Sequence, residues 1–264
     1  MKIIHLSDLH LVAPGHQVAG RDPAQSLARA LTLVRRDHAD AAFCLLTGDL
    51  ADAGEEAAYA ELTRQLADLP MPCYVMPGNH DERAHLRKAF PDLPLSTEGF
   101  IQQALPTPAG LFLLLDTLNA GRPGGWYDDA RALWLRQQLT GAGEQAIFLA
   151  MHHPPFAVGI PSMDRYALRD TAHFDAALKG YEARVRHIFI GHLHRPIGGS
   201  WRGMSFSGVS SPNHQVALDM NSCPESGDVP GSLGHPAFGV ILIDETRVVV
   251  HHHFLDHDDA QFVL

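Results

Sequence analysis

The chain has 264 residues, 45% of them hydrophobic, enough to bury a full core and within the range of a large single domain, which is the expected organisation over residues 1–264. A formal charge of −10 argues against a sequence-independent grip on duplex phosphates, so no stable nucleic-acid partner is expected, although one locally cationic pocket remains compatible with it. No window approaches the roughly 18 apolar residues of a membrane span, no signal peptide is recognisable at the start, and the three cysteines match no zinc or redox spacing; a cytoplasmic protein without membrane partners is expected.

In chain order, residues 2–6 read as a strand, and Asp22-Pro23 caps a helix whose Leu27, Ala30, Leu31 and Val34 share one face. A buried strand at 42–46 precedes an amphipathic helix at 55–69, carried by Tyr59, Leu62 and Leu66, and a short strand at 73–76. Further strands are predicted at 111–115, 146–151, 187–190, 238–243 and 248–254, with a helix at 129–139. This alternation implies a layered α/β fold with helices covering the sheets. Residues 157–171 and the Gly/Pro/Ser-rich segment 221–236 are where accessory cap or oligomerisation elements would fit.

The chemistry collects where strands stop. Five strands run into Ser7-Asp8-Leu9-His10, Thr47-Gly48-Asp49, Pro77-Gly78-Asn79-His80-Asp81, Met151-His152-His153 and Gly191-His192-Leu193-His194. Ligands of open α/β sheets gather at the carboxyl ends of strands, so five such clusters can converge on one site. Taken singly, each has a plain reading as turn chemistry or a strand-end loop. Taken jointly, they offer carboxylate, imidazole and amide oxygen without thiolate, a donor set for hard-to-borderline divalent metals. In the pairs Asp8/His10 and His192/His194, a two-residue spacing is expected to aim both side chains the same way.

The order Asp8-x-His10, Gly48-Asp49-x-x-Asp52, Gly78-Asn79-His80-Asp81, His152 and Gly191-His192-x-His194 resembles the signature of the calcineurin-like metallophosphoesterases. Within them it is similar to the bacterial branch that holds cyclic-nucleotide phosphodiesterases and glycerophosphodiesterases. The resemblance implies a four-layer αββα sandwich of two mixed β-sheets flanked by helices, with a dinuclear centre at the sheets' top edge. It implies one metal held by Asp8, His10, Asp49 and His194, and another by Asn79, His152 and His192 with Asp49 bridging. His80, beside the ligand Asn79, is expected to stabilise the transition state or protonate the leaving group, with Asp52 as its orienting carboxylate. His153 reads as a supporting or structural residue, His214 as a loop residue on the substrate side, and His251 to His253 as alternating faces of a strand.

Two divalent ions against Asp8 and Asp49 would leave a cationic site on an acidic protein, drawing an anionic phosphate. A water bridging two ions about 3.5 to 4 Å apart loses a proton readily, and the resulting hydroxide is the expected nucleophile on phosphorus. Manganese, iron, cobalt and zinc all suit such N/O ligands. Protein phosphatases of the superfamily carry arginine after the second aspartate of the Gly-Asp block, where this chain has Ala53, which favours a singly charged small phosphodiester over a monoester. A phosphomonoesterase or nucleotidase on the same centre is the alternative, and a non-catalytic scaffold is a third reading against which every intact block weighs. The stretch Pro161-Ser162-Met163-Asp164 also resembles the bacterial branch and implies a dimer or larger homo-oligomer.

Overall fold

Strand alternation separates the layers. In β1 (Lys2–Leu6) Ile4 and Leu6 pack beneath helices, while Ile3 joins a second apolar layer between two sheets. This computed structural model of the chain describes residues 1–255; residues 256–264 of the expected domain lie outside them.

The first sheet runs β13-β12-β1-β2-β3, with β2 (Phe43–Thr47) and β3 (Cys73–Met76) parallel to β1 and β12 (Ala237–Ile243) and β13 (Val248–Phe254) antiparallel. The second runs β4-β5-β6-β7-β9-β8. Its centre, β5 (Gly110–Leu115), β6 (Ile147–Met151), β7 (Val185–Ile190) and β9 (Met204–Gly208), is parallel, and β4 (Gln103–Thr107) and β8 (Ile197–Trp201) are antiparallel edges. Helices α1 (Pro23–Asp37), α2 (Glu56–Leu66) and α3 (Arg83–Ala89) bury Leu31, Leu62 and Leu86 on the first sheet. Helices α4 (Asp129–Gly141), the four-residue α5 (Pro161–Asp164) and α6 (Ala172–Leu178) bury Leu135, Met163 and Phe174 on the second. The result is the αββα arrangement of two mixed sheets. Between the sheets, Phe112 stacks on Phe148 with ring centroids 4.6 Å apart and meets Phe43 of the opposite sheet edge-on at 5.4 Å.

Helix α1 starts where its cap predicts: the Asp22 carboxylate accepts from the amides of Ala24 and Gln25, and Pro23 occupies the first turn, where no N–H is needed. The pattern did not predict β4, β8, β9, α3, α5 or α6. The strand β4 is an edge carrying Pro106, β8 contains Gly198 and Gly199, and the three helices have at most seven residues, too few to set up a helical period.

The inter-sheet layer also holds histidines. His5 and His187 are buried, each with Nε2 on a hydroxyl, Thr47 and Ser207 respectively, at 2.8 Å. Burial, helped by His187 and His252, pushes His5 down to about 3, and burial pushes His187 to about 4. Both are therefore neutral in the folded state while the unfolded chain takes up protons below about pH 6.5. Stability present above that pH is lost as pH falls towards 4, by about 1.4 kcal/mol per pH unit for each group. Urea unfolding of metal-free protein between pH 7 and 5 is expected to show this dependence, and the double variant His5→Gln/His187→Gln to lessen it, the rest coming from His192 and His194, which burial also holds neutral; an unchanged slope would exclude His5 and His187 as contributors.

Candidate metal centre

The parallel strands β1, β2 and β3 of one sheet and β6 and β7 of the other all end at the same edge, and the loops that follow carry every candidate ligand. Three glycines let these loops close on the His152 ring. A Cβ at Gly48 would stand 2.6 Å from the Gly78 amide and 2.7 Å from His152 Nδ1. One at Gly78 would overlap the Asp49 carboxylate, and one at Gly191 would overlap Ser7 and the Thr47 carbonyl. The glycines of the three Gly-x pairs are thus required by close approach, beyond ordinary turn preference.

Asp8, His10, Asp49, His192 and His194 all have positive φ, between 48° and 69°. The common direction expected from two-residue strand spacing arises instead from left-handed backbone beyond the strand ends. Each such residue costs about 1 kcal/mol or more, strain that tends to gather at functional sites.

One cluster is formed by Asp8, His10, Asp49 and His194, whose ligand atoms all lie within 4.8 Å of one another. His10 Nδ1 donates to the Asp52 carboxylate at 2.9 Å and His194 Nδ1 donates to the His214 carbonyl at 3.0 Å. Neutral imidazoles held this way carry bare lone pairs on Nε2, and the two Nε2 atoms face each other at 3.2 Å. Two lone pairs at that distance repel unless a proton or a metal cation lies between them, and against the effect of burial the Asp52, Asp49 and Asp8 carboxylates hold His10 above its ordinary range. The outer bonds are the kind that orient metal-binding histidines.

The other cluster brings His152 Nε2 to 3.2 Å from both Asn79 Oδ1 and Asp49 Oδ2, while His152 Nδ1 donates to the Thr47 carbonyl at 2.7 Å. The His192 ring lies 5.2 Å from that of His152. His192 Nε2 and Asp8 Oδ2 are buried without a hydrogen-bond partner, a costly state that a metal would relieve. Asp49 links the clusters: Oδ1 accepts from the His80 amide at 2.9 Å, leaving Oδ2 3.2 Å from His152 Nε2 and 3.7 Å from His10 Nε2. The residues present thus fit divalent cations, with Asp8, His10, Asp49 and His194 on one side and Asp49, Asn79, His152 and His192 on the other.

Charges follow the same division. Burial, aided by the neighbouring His10, pushes His194 down to about 3; burial with His153 and His152 takes His192 well below its ordinary range. These rings are held neutral, as coordination requires. For Asp49, burial opposes ionisation, but His152, His80 and His10 outweigh it and keep the carboxyl well below the usual range. His152 is raised to about 9, the charge on Asp49 overcoming its burial. A cation arriving here displaces that proton.

The remaining candidates take their places around these clusters. Asp52 reaches His80 through its carbonyl, which accepts from His80 Nδ1 at 2.6 Å, while its carboxylate goes to His10 rather than to His80. His153 has both nitrogens engaged: Nε2 donates to the Pro123 carbonyl at 3.2 Å and Nδ1 accepts from the Thr117 hydroxyl at 2.8 Å, so it supports the loop and has no lone pair to offer. His214 packs against the His10 and His194 rings at 4.9 and 4.7 Å and lines the cavity. Asp81, to which the sequence assigned no role, accepts from the amides of Leu50, Ala51 and Gly78 and from the Tyr59 hydroxyl, locking the Asp49 and Asn79 loops together. Its position beside Asn79 and His80 was the only signal, and its partners are visible only in three dimensions.

Two clusters of candidate metal ligands sharing one carboxylate, at the strand-end edge of an αββα sandwich, are the arrangement expected of a metallophosphoesterase. The chain belongs to the calcineurin-like phosphoesterase family, whose profile matches residues 1–196. It is 39% identical over 270 residues to a probable cyclic nucleotide phosphodiesterase of Rhodopseudomonas palustris, covering 100% of this chain and 96% of the relative. It is 28% identical to a probable glycerophosphodiester phosphodiesterase of Arcobacter nitrofigilis, covering 83% of this chain and 81% of the relative. A dimetal phosphatase of Danio rerio shares the fold with a TM-score of 0.73 at 13% identity, covering 96% of both chains.

Metal binding to the folded chain alone stabilises it by mass action, by about 2.7 kcal/mol at a hundredfold excess over Kd. Chelated protein is therefore expected to unfold several degrees lower than protein returned to manganese or zinc, and His194→Ala to lose most of that difference. A chelator-insensitive melting curve would contradict the assignment.

Proposed function

We propose that this chain hydrolyses small phosphodiesters at a dinuclear metal centre. The observation that carries the reading is Asp49 Oδ2, within 3.7 Å of both ligand clusters at the floor of an open cavity of about 350 Å³. Two cations bound there would supply an acidified water as nucleophile and would neutralise the nonbridging phosphoryl oxygens. The ligand types suit manganese, iron, cobalt or zinc.

The chain's own groups do the rest. The Asp52 carbonyl fixes His80 through its Nδ1 proton, leaving Nε2 as the nitrogen that can pass a proton to the departing alkoxide and meet the charge that builds on phosphorus. The His80 amide fixes Asp49, and Asp52 orients His10. No lysine or arginine lines the cavity and Ala53 follows Asp52, an arrangement that favours a singly charged diester over a dianionic monoester. The names of the relatives, cyclic nucleotide and glycerophosphodiester phosphodiesterases, support the same choice. No helix among the described residues is long and apolar enough to cross a membrane; we read the protein as a cytoplasmic homo-oligomer, supported by its free cysteines and by the Pro161 to Asp164 stretch.

Metal-stripped protein restored with manganese is expected to turn over bis(p-nitrophenyl) phosphate in strong preference to p-nitrophenyl phosphate, both followed by p-nitrophenol release. Preference for the monoester would make the chain a phosphatase. With the diester, His80→Ala should lower kcat by about 10²-fold or more with little change in KM, and unchanged turnover would remove His80 from the chemistry.

A further inference from the structure

Beyond the ligand candidates, an apolar part of the cavity lining, its far wall, comes from two segments that overlap the stretches where cap elements were expected. One is α5 and the residues after it, which contribute Met163 and Tyr166; the other is the loop from residue 217 to 231, which contributes Val229 and Pro230. The loop leaves β10 (Gln215–Val216) and returns as β11 (Gly231–Ser232), its ends tied by the pairing of Val216 with Gly231 and by the Ala217 amide on the Pro230 carbonyl at 2.8 Å. Between those ends it is pinned to the first segment. The Tyr166 hydroxyl donates to the Gly227 carbonyl at 2.9 Å, and the Arg165 guanidinium donates to the Pro224 carbonyl at 2.8 Å and contacts the Cys223 thiol. A Cβ at Gly227 would come within 2.9 Å of the Tyr166 oxygen, so a glycine is required where the loop crosses the ring.

Charge is divided sharply across the cavity. Its ionised carboxylates, Asp49 and Asp52, are on the metal side, both engaged with imidazoles, and its far wall offers a thioether, an aromatic ring and aliphatic carbon. Arg165, the nearest cation of that segment, is turned onto the loop and does not line the cavity. An ammonium on the far arm of a diester would find no free carboxylate among the residues of that wall. A flat, uncharged group with apolar faces would instead be desolvated against Met163 and Tyr166.

We propose that Tyr166 and Met163 are specificity-determining residues that receive a flat, uncharged ester arm, with the Tyr166 hydroxyl holding the facing loop in place. This rests on the phosphodiesterase reading above. It assigns selectivity between diesters to side chains that touch no metal ligand, so binding and chemistry are separable by substitution.

The test compares 3′,5′-cyclic AMP, whose esterified ribose carries an uncharged purine, with glycerophosphoethanolamine, whose ethanolamine arm carries an ammonium, on manganese-loaded protein. The wild type is expected to favour the purine diester at least tenfold in kcat/KM. Tyr166→Ala should raise its KM about tenfold, with kcat within threefold and the KM for glycerophosphoethanolamine within twofold; Met163, which also packs in the core of the second sheet, is tested by Met163→Gln, a polar side chain of similar length, with the same expectation. Tyr166→Phe, which keeps the ring, should stay within threefold of wild type. Equal handling of the two diesters by the wild type would overturn the proposal, as would a Tyr166→Phe defect as large as that of Tyr166→Ala, which would assign the effect to the loop. Turnover of bis(p-nitrophenyl) phosphate by the wild type reports on the underlying activity, and in the variants its own flat arms are expected to suffer the same rise in KM. Titration calorimetry of both diesters into manganese-loaded His80→Ala protein ranks the arms without turnover, and equal affinities would overturn the wall assignment whatever the activity.

Discussion

The contact on which the rest of the site depends is the close approach of three loops around the His152 imidazole. Gly48, Gly78 and Gly191 give up side chains so that the loops after β2, β3 and β7 meet the loop after β6, bringing Asp49, Asn79 and His192 around one ring. That approach joins two sheets which otherwise touch through the apolar layer of Phe43, Phe112 and Phe148. A methyl group at any of these glycines would push the sheets apart where the candidate ligands converge, and the position of Asp49 between the two clusters would be lost with it.

Electrostatics then explains why so much imidazole collects at this edge. Each of His10, His152 and His194 spends one nitrogen on a fixed acceptor, respectively Asp52, the Thr47 carbonyl and the His214 carbonyl, which leaves Nε2 aimed inward. Such a set of converging lone pairs and buried carboxylate oxygens is unfavourable by itself, and it is held in place by surrounding structure that includes Asp81 across the backbone amides of two loops. The left-handed backbone at five of the ligand positions belongs to the same arrangement. Local stability is given up at the edge because the apolar layers behind it supply stability elsewhere.

The two walls of the cavity have different origins. The metal side comes from loops short enough to be set by the strands they follow. The far side comes from α5 and the loop between β10 and β11, which are held to each other through side chain and carbonyl contacts rather than through a regular ladder. A fold of this kind can keep its chemistry while the far wall varies, since none of the far-wall residues contributes to the ligand clusters.

Much of this was legible in the sequence. The alternation of Ile3, Ile4 and Leu6, the Asp22-Pro23 cap and the apolar face of α1 are local patterns, written by the periods of strand and helix, and they sufficed for the layered α/β class. The metal-ligand candidates were visible because each lies within a few residues of a strand end, and the structure brings them to one edge of the two sheets. What the sequence could not decide depends on distances between segments far apart in the chain. Asp52 turns its carboxylate to His10 and only its carbonyl to His80, His153 spends both nitrogens on Thr117 and Pro123, and Asp81 braces two loops. Period and propensity describe a residue's neighbours along the chain, so the sequence by itself determined the layers and the ligand inventory. Which atom of each side chain faces the site, and which residues wall it, was decided only when the two sheets packed, because a hydrogen bond has a direction that no spacing in sequence encodes.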